Sequence, residues 1–112
     1  MIYSLDKLNE MAGGDADFIA SVVSVFLEEV PQDLEGLEIA VKNKNYESIY
    51  QLAHKIKPNV DLLGMEQARA VALEIETLGK KGNNSVEIES IFPTLKNDIH
   101  QVISELRKDF NL

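Results

Sequence analysis

The sequence predicts an all-α fold, an antiparallel up-down four-helix bundle with a short extra N-terminal helix, and three observations carry it. Apolar residues recur at threes and fours along four long segments. No segment shows sustained strand alternation or a hairpin turn flanked by β-branched residues. The connections between the segments are short, which suits antiparallel neighbours. At 112 residues and 45% apolar composition, the chain is expected to form one domain over 1–112 around a single core.

In the first element, Ser4 is placed to cap a helix from about Leu5 to Met11, ended by Gly13 and Gly14. Asp15 caps the next, whose stripe runs Ile19, Val22, Val23, Phe26, Val30, Leu34, Leu37 and Val41. Pro31 interrupts this run, but the stripe keeps its phase across it, which predicts one kinked helix rather than two. Lys42 to Asn45 form a polar connection, with Asn45 as the next cap. The third long segment carries Tyr46, Ile49, Tyr50, Ala53, Ile56, Val60 and Leu63 on one face, and Gly64 breaks it. A fourth turns Ala68, Val71, Ala72, Ile75 and Leu78 inward and ends near Lys80 and Lys81, where cations suit the helix dipole. After the loop Gly82-Asn83-Asn84, Ser85 is the expected cap of a last helix with the stripe Ile88, Ile91, Phe92, Leu95, Ile99, Val102, Leu106 and Phe110. Pro93 is expected near its start, where a missing N–H does least harm.

Composition narrows the function. A net charge of -8 repels a phosphate backbone and opposes nucleic-acid or anionic-membrane binding. There is no cysteine, which removes disulfides and thiolate metal sites and fits a reducing compartment. No apolar run reaches the ~18 residues of a membrane span, and the N-terminus lacks a basic start and an apolar stretch like those of a signal peptide. A cytoplasmic protein is expected. The first Met and the domain-sized length suit a free-standing chain, with excision from a longer protein as the alternative.

The segment Leu52 to Gly64, L-A-H-K-I-K-P-N-V-D-L-L-G, holds the one nucleophile in a defined setting. At ~100° per residue, His54 projects roughly 130° from the centre of the apolar stripe, on an exposed flank. Glu47, Tyr50, Pro58 and Asp61 share its face. Lys57 sits between that face and the stripe, its stem over apolar surface and its ammonium directed to the imidazole. A neutral imidazole nitrogen is a good nucleophile near pH 7. Phosphoryl transfer asks mainly for positioning and charge neutralisation, which a nearby lysine supplies in part. His54 lies mid-helix, so no helix N-terminus can hold the anion there.

The wider pattern turns this into a family resemblance. Asp15, Phe18 and Ile19, followed by Phe26, Leu27, Glu28, Glu29, Pro31 and Leu34, match a D-x-x-F-I…F-L-E-E-x-P-x-x-L entry. Ala53, His54, Ile56, Lys57, Leu63 and Gly64 match a phosphoacceptor segment, A-H-x-x-K followed by a helix-ending glycine. Together these make the chain resemble the histidine-containing phosphotransfer (HPt) domain over nearly its whole length. The resemblance implies that His54 is phosphorylated, on Nε2, that Lys57 steadies the phosphoryl group and that Lys55 adds surface charge. It implies a multistep phosphorelay with response-regulator receiver domains and a hybrid sensor histidine kinase as partners. The chain then needs no cofactor of its own, Mg²⁺ belongs to the receiver, and a monomer keeps the histidine reachable.

Two residues depart from the family pattern. Pro58 stands where the family commonly has Gly, and it removes the N–H that would bond the His54 carbonyl, which predicts a local kink or widened turn. Asp61 stands where the family usually has a small residue, placed to pair with Lys57 or to repel the phosphoryl group. Tyr50, Lys55, Pro58 and Asp61 are the candidate docking residues. The competing reading is a helical interaction module that binds receivers or kinases without transfer, and a metal-dependent enzyme is a distant third. His100, beside the core stripe of the last helix, reads as a packing or solvated histidine. No glycine-rich phosphate loop is present, so neither ATP binding nor kinase activity is expected.

Overall fold

The computed structural model describes residues 3–112, which form α-helices and no strand. The elements are α1 (Asp6–Ala12), α2 (Ala16–Lys42), α3 (Tyr46–Leu62), α4 (Glu66–Lys81) and α5 (Ser85–Phe110). Each of the four long helices packs on the next, α5 returns to α2, and α1 lies against α2. The molecule measures 44 × 23 × 20 Å. A 27-residue helix is about 40 Å long, so α2 sets the long axis.

The predicted stripes meet in one core. Val23, Phe26, Val30, Leu37, Ile49, Ala53, Ile56, Val60, Ile75, Leu95, Ile99 and Leu106 are all buried in it. Ile19, Val22, Val71, Ile91 and Phe110 are partly buried at its edge. Helix α2 passes through Pro31 as one element, as the unbroken phase predicts. Asp15 caps it by accepting the N–H groups of Asp17 and Phe18, and Asn45 caps α3 through Ser48 N–H.

Three local expectations are corrected. Leu5, rather than Ser4, is the cap residue of α1. Ser4 N–H instead donates to Leu63 O at 2.7 Å, tying the N-terminal segment to the end of α3, while the Ser4 hydroxyl accepts from Asp6 N–H. Asn84, rather than Ser85, caps α5, its Oδ1 accepting Glu87 N–H at 3.1 Å. Pro93 lies well inside α5, more than two turns from its start. The Glu89 carbonyl therefore lacks the intrahelical donor that position 93 would supply.

Two close approaches fix α3. Gly79 of α4 lies against α3 so tightly that an added Cβ would sit 2.9 Å from Tyr50 N and 3.0 Å from Ile49 Cγ2. Gly64 has φ +65°, and an added Cβ would come 2.9 Å from Ser4 Cβ. At Gly79 the obstruction is backbone, which cannot rotate away. Gly79→Ala is therefore expected to force α4 off α3 and cost about 1–3 kcal/mol despite alanine's better helix propensity. A denaturation curve checks this, and an unchanged or raised midpoint contradicts the close packing.

The N-terminal segment straps the other end of the molecule from Gly79, where α3 and α5 terminate. The buried Tyr3 hydroxyl donates to Asp109 at the end of α5. Burial, then that hydrogen bond and the charges of Asp109 and Glu105, push its pKa up to about 12. Leu8 of α1 is fully buried in the common core.

Candidate functional site

His54 stands on the outer flank of α3, its side chain 63% exposed. The exposure follows from the stripe: Ala53, Ile56 and Val60 take the core and carry position 54 outward. His54 Nδ1 lies 2.8 Å from Glu76 Oε2 on α4. Lys57 Nζ donates to the other oxygen of the same carboxylate, Glu76 Oε1, also at 2.8 Å. Glu76 thus bridges the histidine and the lysine, and Lys57 reaches the imidazole's surroundings through it. The Tyr50 ring, one turn before His54, stacks on the imidazole with centroids 6.1 Å apart.

Charge follows from these contacts. Burial raises the Glu76 pKa, but hydrogen bonds from Lys57 and His54 and their charges outweigh it, so the carboxyl lies below its ordinary value. An ionised carboxylate only accepts, so the proton of a neutral His54 must sit on Nδ1. Nε2 then carries the free lone pair and faces away from the Glu76 contact. An imidazole held in this tautomer beside a lysine can attack an electrophilic phosphorus without a separate base.

The other sequence candidates divide between two sides. Lys55 turns to α2 and donates to Asp33 Oδ1 at 3.0 Å while remaining 56% exposed. That hydrogen bond, then the Asp33 charge, holds its proton more tightly than usual. Pro58 is exposed within a helix that stays α-helical from Tyr46 to Leu62, so of the kink or widened turn expected there, the widened turn does not form. Asp61 does not pair with Lys57. It accepts from Lys7 of α1 at 2.7 Å and lies 3.5 Å from Arg69 Nε of α4, because those cations arrive from other helices while Glu76 takes Lys57. His100 is exposed on α5 in a groove with Glu35, Glu38 and Lys96, on the α2–α5 side.

The family is decided by comparison with known domains: the model of the Hpt domain matches residues 21–107. The chain belongs to the Hpt family. The match runs from the first turns of α2 almost to the end of α5 and contains His54, Lys57 and Glu76; α1 and the Asp15–Ile19 pattern lie before it. Searches of curated proteins and of solved structures return no match. Hpt domains take part in phosphotransfer in two-component relays, where they interact with receiver domains and kinases. They are phosphoryl carriers rather than enzymes in the ordinary sense. Among the described residues, no helix is long and apolar enough to cross a membrane.

Sequence reading missed Glu76, although a signal for it exists. Residues equally distant from the turn of a helical hairpin face each other, and His54 and Glu76 lie eleven positions either side of Met65. Lys80 and Tyr50 obey the same rule at fifteen positions, and they meet with the ammonium 5.8 Å from the ring centroid. Asp33 was also missed; it is 7% exposed, and its Oδ2 has no hydrogen-bond partner.

Proposed function

We propose that this chain is the histidine phosphotransfer intermediate of a multistep phosphorelay, with His54 as its phosphoacceptor. The observation that carries the reading is the Glu76 bridge: one carboxylate directs the His54 Nδ1 proton, frees Nε2 and holds Lys57 beside it. In this reading the four long helices form an antiparallel up-down bundle, with α1 as the extra helix. A receiver domain carrying an aspartyl phosphate docks over α3. Nε2 attacks the phosphorus in line, the P–O bond to the aspartate breaks, and the carboxylate leaves on the receiver. The reverse chemistry on a second receiver removes the group. Mg²⁺ is supplied by the receiver, and the carrier works as a cytoplasmic monomer downstream of a hybrid sensor histidine kinase.

Surface chemistry supports the docking step. One turn beyond Pro58, Leu62 joins Phe18, Val22 and Val25 in an apolar groove between α2 and α3. Leu73 of α4 is also exposed. Such a face suits a transient interface of modest size, often under ~1,200 Å². A module that only bound receivers would have no use for an imidazole whose tautomer is set by a second helix.

Mixing the protein with phosphorylated receivers and following acid-labile, base-stable label tests the proposal. Uptake from one receiver followed by loss to another is the expected result. Stable binding of a phosphorylated receiver with no label on this chain would establish the interaction module instead. Lys57→Ala is expected to slow uptake by about tenfold through lost charge neutralisation, with the helical circular dichroism unchanged. A rate equal to wild type would remove Lys57 from the site.

A further inference from the structure

Pro58 changes the backbone at the phosphoacceptor residue itself. In an α-helix the carbonyl of residue i accepts the N–H of residue i+4. Position 58 should donate to the His54 carbonyl, and proline has no N–H to give. Helix α3 still runs α-helical from Tyr46 to Leu62, with no wider turn at which another N–H takes its place. The side-chain donors nearest in sequence are committed elsewhere. The Asn59 amide donates to the Lys55 carbonyl at 3.3 Å, and the Lys57 ammonium donates to Glu76 at 2.8 Å. His54, Lys55 and Pro58 are all exposed, so this carbonyl lies on the wet flank of the helix. Pro31 and Pro93 remove the same donor from the Leu27 and Glu89 carbonyls, but neither of those residues is the phosphoacceptor.

The position of the oxygen supplies a partner. It belongs to the same residue as the attacking Nε2, so a receiver loop that brings an aspartyl phosphate to the ring must close over it. The Pro58 ring is compact and carries no polar atom that would hold water above the carbonyl. The missing partner is an N–H, which every loop backbone presents. An acceptor left unpaired beneath a docked surface costs binding energy, whereas a paired one contributes to it.

We propose that the His54 carbonyl oxygen is a recognition point for the receiver, accepting an N–H from the loop that delivers the phosphoryl group in place of the N–H that Pro58 lacks. A carrier with a donor at position 58 closes this bond internally and offers the receiver nothing there. The inference rests on His54 as the phosphoacceptor, and its test separates the two claims.

The test uses the full chain and the receiver that charges it fastest. Beryllofluoride activates that receiver without giving it a group to transfer, so binding is measured apart from chemistry. Pro58→Ala and Pro58→Val both restore the N–H, and valine also keeps apolar bulk close to that of proline. Both are expected to raise the midpoint of thermal unfolding as the internal bond forms. Both are expected to weaken receiver binding about fivefold, the loss of one hydrogen bond. The His54 carbonyl carbon resonance, read through the Lys55 amide, is expected to move downfield when the receiver binds wild type and to stay in place in Pro58→Ala. Wild-type affinity in both variants would overturn the proposal. Full affinity in Pro58→Val with loss in Pro58→Ala would overturn it too, by assigning the contact to apolar bulk rather than the carbonyl. So would a His54 carbonyl resonance that bound receiver leaves unmoved. None of these three outcomes touches the acceptor, which is read separately by transfer of label from the phosphorylated receiver. Equal labelling of wild type and His54→Gln would overturn both claims.

Discussion

His54→Gln is expected to abolish phosphoryl uptake from phosphorylated receivers, a loss of at least about a thousandfold, with helical content and midpoint of unfolding nearly unchanged. The size of the effect follows from nucleophilic transfer: without the imidazole nitrogen there is no group to form the bond to phosphorus. Retained folding follows from exposure, since the side chain contributes almost nothing to the core. Glutamine can still donate towards Glu76, which limits the cost of removing the ring. Label persisting on His54→Gln at the wild-type rate would move the acceptor elsewhere, with exposed His100 the other histidine to test.

The second large effect belongs to Glu76. Two opposed roles have to be weighed. Its negative charge repels an incoming phosphoryl group, whereas its two oxygens set the His54 tautomer and hold Lys57. The repulsion is largely cancelled, because the Lys57 ammonium sits 2.8 Å from one oxygen. Orientation has no substitute on either helix, so positioning should win. Glu76→Ala is expected to slow uptake by about tenfold, in line with the loss of a carboxylate that orients a functional histidine. ¹⁵N chemical shifts of His54 should then show both neutral tautomers in place of the Nδ1-protonated form alone. Faster uptake in Glu76→Ala would show that repulsion is the dominant role.

Much of this architecture could be read from the chain because it depends on local periodicity. The stripe through Val23, Phe26, Val30, Leu34 and Leu37 is buried as its spacing predicts, and its phase carries α2 across Pro31. The exposure of His54 follows from the same arithmetic. The Ala53–Lys57 and Leu63–Gly64 pattern carries the resemblance to the Hpt family within one helix and its terminating glycine.

What escaped the sequence depends on contacts between helices. Within α3, Asp61 and Lys57 have the spacing of an ion pair, yet Lys7 and Arg69 claim the aspartate and Glu76 claims the lysine. Single-helix spacing cannot rank partners that arrive from α1 and α4. Asn84 and Ser85 are adjacent good capping residues, and the choice between them turns on the backbone of the loop. Pro93 lies inside α5 because that helix begins at Ser85, too far upstream for the proline to occupy its first turn.

The most direct test of the central claim is a long-range ¹H–¹⁵N correlation spectrum of the protein after charging by a phosphorylated receiver. The account predicts one modified imidazole, His54, with phosphorus on Nε2 and the proton retained on Nδ1 beside Glu76. Phosphorus on His54 Nδ1, on His100, or on neither histidine would contradict it.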